Sequence, residues 1–216
     1  MRDVEGFILA GGASSRMGED KAGLRLGGET FVGRIARALA PVVNSIRVVS
    51  GRHAEGAWGL PVVPDLFEHA GALGGIHAAL AHARTEGALV VSCDLPFVTS
   101  ELFARLVGLS EDGPLKFEAV APLQRDGRAQ PLCAFYERAP CLALAEELLR
   151  AGEARPRLLL GRARTRWVAE EELADLEDSA LFFLNVNTPD EYARAVALHA
   201  SKRRGEAETK PDAGTP

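Results

Sequence analysis

Residues Leu9–Lys21 read LAGGASSRMGEDK and follow directly on the apolar run Phe7-Ile8-Leu9. A short apolar run that passes straight into glycines is a strand feeding a loop. Gly11, Gly12 and Gly18 let the backbone approach a ligand closely, and Ala13, Ser14 and Ser15 keep the loop small. Arg16 and Lys21 add two cations. Exposed backbone N–H groups beside fixed positive charge suit a polyphosphate. The stretch lacks both the Gly-Lys-Ser/Thr ending of a P-loop and the G-x-G-x-x-G spacing of a dinucleotide fold. A glycine-rich stretch alone is often a plain turn, but cations at defined offsets in an α/β context favour the phosphate reading.

Outward from this loop, strand-length apolar runs occur at Phe7–Leu9, Ile46–Val49, Pro61–Val63 and Ala88–Val91. Helical patterns separate most of them, at Phe31–Leu39, Leu73–Ala83 and Glu101–Leu109. Strands apolar on both faces that alternate with helices predict a mostly parallel, doubly wound α/β sheet covered on both sides. Ligands of such sheets bind at the carboxyl ends of the strands. The glycine loop, Asp65 and Asp94 each follow a strand directly, so all three fall at that edge.

The second half is less regular. Ala119–Pro122 and Leu132–Tyr136 read as strands flanking a polar turn, Gln124-Arg125-Asp126-Gly127. Pro140–Arg150 reads as a helix with Leu142, Ala145, Leu148 and Leu149 on one face. Thr188-Pro189-Asp190-Glu191 opens the last helix, with Thr as N-cap, Pro at N1 and Glu at N3. Residues 201–216 mix charge, Gly and Pro without a large apolar residue and are expected to be disordered, leaving one domain over residues 1–200.

Composition sets bounds on function. A chain of 216 residues, 47% apolar, has the size and core content of a single domain. The net charge of −5 gives no electrostatic footprint for nucleic acid. No apolar run approaches the roughly 20 residues needed to span a bilayer, and the amino terminus has no signal-peptide pattern. Cys93, Cys133 and Cys141 lack C-x-x-C spacing and read as reduced, cytosolic thiols. A cytoplasmic protein is expected, with no nucleic-acid or membrane partner.

Several residues are candidates for chemistry. Lys21 lies three residues beyond the last loop glycine, where its ammonium could reach α- and β-phosphates; Arg16 either braces phosphates or ties the loop down. Asp94 ends the strand Leu89–Val91. A helix-capping role is disfavoured because Pro96-Phe97-Val98 intervenes and Thr99 or Ser100 can cap the next helix. Asp65 closes the run Val62-Val63-Pro64 and either begins a turn or offers a carboxylate to a ligand. Gly71, Gly74 and Gly75 open a helix and either pack it closely or form a second backbone wall of a cleft. Asn185 and Asn187 either serve a turn or present amides to a ligand. Arg128 and Gln130 sit in Gly-Arg-Ala-Gln-Pro. His53, His69, His77, His82 and His199 show no metal-ligand spacing, and no Ser–His–Asp or Cys–His pattern stands out.

Taken together, the glycine loop, Pro64-Asp65, Gly71-Ala72-Leu73-Gly74-Gly75, Cys93-Asp94-Leu95-Pro96-Phe97-Val98 and Asn185-Val186-Asn187-Thr188-Pro189 resemble the signature of the molybdenum cofactor guanylyltransferase family, a group with the Rossmann-like nucleotidyltransferase fold. The resemblance covers roughly residues 4–200, and the order and spacing of the motifs are more specific than any one of them. It implies transfer of GMP from GTP to molybdenum-bound molybdopterin with release of pyrophosphate. By the same resemblance Leu9, Ala10, Gly11, Gly12, Lys21, Asp65, Gly75 and Asp94 bind nucleotide, while Lys21, Asp94 and Arg16 are catalytic. Asp94 would bind Mg²⁺, and Asn185, Asn187, Arg128 and Gln130 would face the acceptor. Partners would be GTP, molybdopterin and, transiently, molybdoenzyme chaperones or other cofactor-biosynthesis proteins. Two departures are visible: Ala72 replaces a usual Pro, and Val48-Val49-Ser50-Gly51 lacks the family's nucleotide-binding asparagine, a role not carried over to Ser50. The alternatives are a related enzyme using CTP or another phosphorylated acceptor, and a non-catalytic nucleotide-binding regulatory domain.

Overall fold

The computed structural model describes residues 2–10, 23–51, 58–67, 70–112 and 116–208. From the amino end, β1 (Val4–Leu9) precedes a small hairpin of β2 (Arg25–Leu26) and β3 (Glu29–Thr30). Then come α1 (Phe31–Leu39), β4 (Ser45–Val49), β5 (Val62–Val63), α2 (Gly71–His82), β6 (Gly87–Ser92) and α3 (Ser100–Leu109). The second half holds β7 (Ala119–Pro122), β8 (Cys133–Glu137), α4 (Arg138–Arg150), α5 (Pro156–Arg162), β9 (Thr165–Val168) and α6 (Pro189–Glu208).

Seven strands form one sheet in the order β5-β4-β1-β6-β8-β7-β9. β5, β4, β1 and β6 run parallel. β8 is inserted antiparallel between β6 and β7, and β9 again runs parallel to β7. The fold is thus the expected α/β domain with a mostly parallel sheet. Val4 and Ile8 of β1 point into one core with α1 and α3. Phe7 and Leu9 point into the other, with α2, α4 and α5. This period-two division of an apolar strand between two cores is what a sheet covered on both faces requires.

Local signals account for much of this. Thr30 caps α1 by accepting from Gly33 N–H, and Thr99 caps α3 by accepting from Leu102 N–H. At α6, the Glu191 N–H donates to Thr188 Oγ1 at 3.2 Å, while Glu191 Oε2 accepts from the Asn187 and Thr188 N–H groups at 2.7 and 3.0 Å. That is the reciprocal capping box read from the sequence. Gly27 and Gly28 take φ of +62° and +88°, as a two-residue hairpin needs. A Cβ at Gly27 would collide with the His199 imidazole of α6. Leu24, Leu26, Phe31, Phe97, Val186 and Ala195 form a third apolar cluster that ties this hairpin to α6.

α6 continues through Glu208, past the expected boundary at residue 200, and Lys202 pairs with Asp178. The rest of the expected tail, residues 209–216, lies outside the described residues.

Candidate active site

From β1 the chain first builds outward through β4 to β5, then returns to place β6 on the other side of β1. The carboxyl ends of β1 and β6 therefore flank the topological switch point, where ligands of open α/β sheets bind. Strand register sets the level of each candidate group. Leu9 pairs with both Val49 and Ser92, and Val49 pairs with Val63. Asp94 and Asp65 each stand two residues beyond this common level, on β6 and β5. The glycine loop leaves β1 between them. Three strand spacings of about 4.8 Å put the two carboxylate-bearing strand ends roughly 14 Å apart.

Backbone hydrogen bonds fix this edge. The Ala10 N–H donates to Val49 O at 2.9 Å, and the Cys93 N–H donates to Leu9 O at 3.0 Å. Gly11, Gly12, Arg16 and Lys21 lie outside the described residues, which on this side reach Ala10. Ser50 is buried, and its N–H is used in the ladder to Val63 O at 3.1 Å.

Asp94 is half-buried. Thr99 caps α3, so Asp94 is not the cap of that helix. Its backbone carbonyl accepts from the Val186 N–H at 3.0 Å, and Val186 is fully buried. This bond brings Asn185 and Asn187, more than 90 residues away in sequence, beside the end of β6. Arg34 of α1 braces the same loop, donating from Nε to Pro96 O at 3.2 Å.

Asp65 has a different environment. Its Oδ1 is buried and makes no hydrogen bond among the described residues. Burial pushes its pKa above the ordinary carboxylate range, and nearby His77 offsets this only in part. The oxygen packs on the first turn of α2, where a Cβ built on Gly74 would lie 3.5 Å from it. The same Cβ would press on Ala70 Cβ at 2.7 Å, and one on Gly75 would meet Leu9 Cδ1 at 3.1 Å. Those glycines let α2 sit close over the ends of β1 and β5.

Of the acceptor candidates, Gln130 is buried at the carboxyl end of β7, its N–H donating to Pro122 O at 2.9 Å. Its side-chain Nε2 is buried without a partner among the described residues. Arg128 lies on the exposed turn next to it, donating from Nε to Asp126 Oδ2 at 2.6 Å. The two residues thus stand in different settings despite lying two positions apart.

Three features of the site were not read from the sequence: the Val186–Asp94 bond, the Arg34 brace, and His77 behind Asp65. The spacing of His77 from Gly74, one helical turn, was the available signal for the last. The other two depend on long-range packing that no local pattern encodes.

Among the described residues, the carboxyl edge of the sheet thus carries Asp65 after β5, Asp94 with Asn185 and Asn187 after β6, and Gln130 at the end of β7. A model of the MobA-like NTP transferase domain matches residues 6–167. The chain belongs to the MobA-like NTP transferase family. A probable molybdenum cofactor guanylyltransferase of Pelotomaculum thermopropionicum is 38% identical over 207 residues, covering 95% of this chain and 98% of that protein. The molybdenum cofactor guanylyltransferase of Vibrio cholerae is 33% identical, covering 91% and 93%. Among solved structures, molybdopterin-guanine dinucleotide biosynthesis protein A of Archaeoglobus fulgidus superposes with a TM-score of 0.78 at 24% identity, covering 91% of this chain and 99% of that one. Family membership therefore rests on sequence over nearly the whole chain, and the NTP transferase fold on structure as well.

Proposed function

We propose that this protein transfers GMP from GTP to molybdenum-bound molybdopterin and releases pyrophosphate. The observation that carries this reading is the pair of carboxylates, Asp65 and Asp94, flanking the switch point in a chain that aligns end to end with guanylyltransferases. A nucleoside triphosphate laid across the carboxyl ends would put its base toward Asp65 and its phosphates toward the glycine loop and Asp94. Molybdopterin would enter from the side of Asn185, Asn187 and Gln130, with Arg128 at the rim.

In this reaction the terminal phosphate oxygen of the pterin forms a bond to the GTP α-phosphorus. The bond from that phosphorus to the bridging oxygen breaks, and pyrophosphate leaves in line. A phosphate nucleophile is already ionised at neutral pH, so no general base is required. The protein's work is to hold two anions together and to offset the charge that develops between them. Lys21, Arg16 and the loop amides supply cationic and N–H contacts to the phosphates. Asp65 offers acceptors to guanine N1–H and N2–H.

The residues present fit Mg²⁺. Among the described residues, no three His, Cys, Asp or Glu side chains converge as a metal site. A single carboxylate such as Asp94, completed by substrate phosphate oxygens and water, matches the usual magnesium habit. When bound there, the ion would neutralise charge on the phosphate oxygens. A cytoplasmic reaction suits the thiols of Cys133 and Cys141, which are buried and pushed up to about 12 by that burial.

The test is pyrophosphate release from GTP, CTP and ATP with molybdenum-loaded molybdopterin as acceptor, with the dinucleotide product identified by mass. Turnover restricted to GTP is the expected result. Equal turnover of CTP would replace this reading with a cytidylyl transferase, and nucleotide binding without pyrophosphate release would replace it with a regulatory domain.

A further inference from the structure

Two buried atoms of complementary type lie on the same small patch of α2. Oδ1 of Asp65 is an acceptor without a hydrogen bond among the described residues, and Nδ1 of His77 is a buried ring nitrogen in the same condition. Orphans of this kind are rare in folded proteins, because each left unmet forfeits the hydrogen bonds it made to water.

The geometry puts them within reach of each other. Asp65 Oδ1 packs against Gly74, and His77 is one turn further along the same face of α2. Residues spaced i and i+3 on a helix have neighbouring Cβ positions, and side chains lean toward the helix amino end, here toward Gly74. Phe67, two residues past Asp65, packs edge-on against the His77 ring at 4.8 Å between centroids. The segment bearing Asp65 is thus laid directly on the imidazole.

The other side of the ring is set by α4. Glu146 Oε1 stands 3.8 Å from His77 Nε2, and Arg150 donates to Glu146 Oε2 at 2.7 Å. Burial pulls the His77 pKa down, Glu146 and Asp65 push it back up, and Arg150 again lowers it. With both ring nitrogens protonated, Nδ1–H turns the two orphans into one hydrogen bond while Nε2–H faces Glu146, and the two carboxylates balance the ring's charge.

We infer that His77 is the positioning residue of the base pocket, donating from Nδ1 to Asp65 Oδ1 when GTP is bound. This rests on the reading of Asp65 as the guanine contact. An ionised carboxylate has about four lone-pair sites, so one hydrogen bond from His77 leaves acceptors for both guanine donors. His77 touches no substrate; it holds the carboxylate that does.

The experiment measures GTP and ATP affinity for the full chain and for His77→Leu, His77→Asn, Asp65→Ala and the Asp65→Ala/His77→Leu double variant, with melting temperatures as a folding control. A hydrogen bond to a charged group corresponds to about a tenfold to hundredfold change in affinity. His77→Leu should therefore lose GTP affinity by roughly tenfold or more and leave ATP affinity unchanged. Asparagine, whose amide nitrogen overlies Nδ1, should restore most of the loss. In the Asp65→Ala background, His77→Leu should cost nothing further. On the unmutated protein, GTP should move the His77 Nδ1 nitrogen resonance to that of a hydrogen-bonded N–H donor. Parental GTP affinity in His77→Leu, equal loss of GTP and ATP, an additive double variant, or an Nδ1 resonance unmoved by GTP would each overturn the inference. If Asp65→Ala removes discrimination for GTP and His77→Leu does not, the base contact stands and the His77 role alone falls. If Asp65→Ala leaves discrimination intact, the base contact falls and takes the His77 role with it.

Discussion

At the amino ends of the central strands, Glu5 of β1 is buried in full partnership. Its carboxylate accepts from Arg47 Nη2 at 2.9 Å and Ser45 Oγ at 2.8 Å, and also from the Arg84 N–H. Burial alone would raise its pKa, but the Arg84 N–H, the Ser45 hydroxyl and Arg47 outweigh it and hold the group below its ordinary value. At the carboxyl ends, Asp65 has a buried oxygen with no hydrogen bond among the described residues and a pKa pushed up by burial. Both groups hang from parallel strands of one sheet. A satisfied carboxylate stabilises the fold, whereas an unsatisfied one is kept at a cost.

The largest effect that would break this contrast belongs to Asp94. On the proposed metal role, Asp94→Asn keeps the shape but removes the negative charge, and turnover should fall by about 10²–10³, with part of the loss recovered as Mg²⁺ is raised. Lys21→Ala removes a phosphate cation that metal cannot replace, so its loss of rate should persist at saturating Mg²⁺. A titration of Mg²⁺ against pyrophosphate release separates the two, and near-parental rates for Asp94→Asn at low Mg²⁺ would remove Asp94 from the metal site.

Next in size is the opposite edge. Glu5→Ala leaves half-buried Arg47 without its carboxylate partner, keeping the hydrogen bond to His82 O, a change that should cost about 3 kcal/mol and, at roughly 2–4 °C per kcal/mol for a chain of this size, several degrees of melting temperature. GTP affinity of the folded fraction should be unchanged. Because the folded pKa of Glu5 is depressed, its contribution is present in full above the ordinary value of 4.5 and is lost as pH falls through the lower folded value. Thermal melts along an acid series should show the variant and the parent converging there. A constant gap down to strongly acid pH would mean that Glu5 acts through packing alone.

Gln130 sharpens the comparison at the acceptor end. Gln130→Leu should raise the KM for molybdopterin severalfold and leave GTP affinity alone, since its buried amide sits at the end of β7 rather than near β5. A change in GTP affinity instead would move Gln130 to the nucleotide side. The smallest effect is Asp65→Asn. At neutral pH it removes a buried charge and should raise the melting temperature by a degree or two, at about 2–4 °C per kcal/mol, while GTP selectivity is lost. A raised folded pKa means that the cost of the carboxylate vanishes below its ordinary value of 3.8, so the gain should shrink as the solution is acidified.

Much of the nucleotide half was legible because its signals are local. β1 ends in the apolar run Phe7–Leu9, β6 contains Ala88–Val91, and the Thr188–Glu191 box opens α6. The acceptor half was harder for physical reasons. β8 runs antiparallel, yet a strand buried on both faces looks the same in either direction. β9 reads Thr165-Arg166-Trp167-Val168, with too few apolar residues for a clear period. α5 spans only seven residues, although Pro156 at its first turn was an available start signal. The two-residue strands β2 and β3 were marked only by Gly27-Gly28. Within the site, Asp65 and Asp94 could be placed because both end strands. The orphaned oxygen of Asp65 and the bond from Val186 to Asp94 could not, since each depends on residues distant in the chain.

The central position of β1 has a consequence for synthesis. β1 leaves the ribosome before its partner β6, whose first residue, Gly87, pairs with Val4. At translation rates of about 5–20 residues per second, the gap corresponds to roughly 4–17 s. During that interval Phe7, Ile8 and Leu9 form an apolar strand with an open edge, a state that chaperones recognise and that favours aggregation. Nascent chains stalled before residue 87 should therefore remain protease-sensitive and bind holdases, and those stalled well beyond β8 should not.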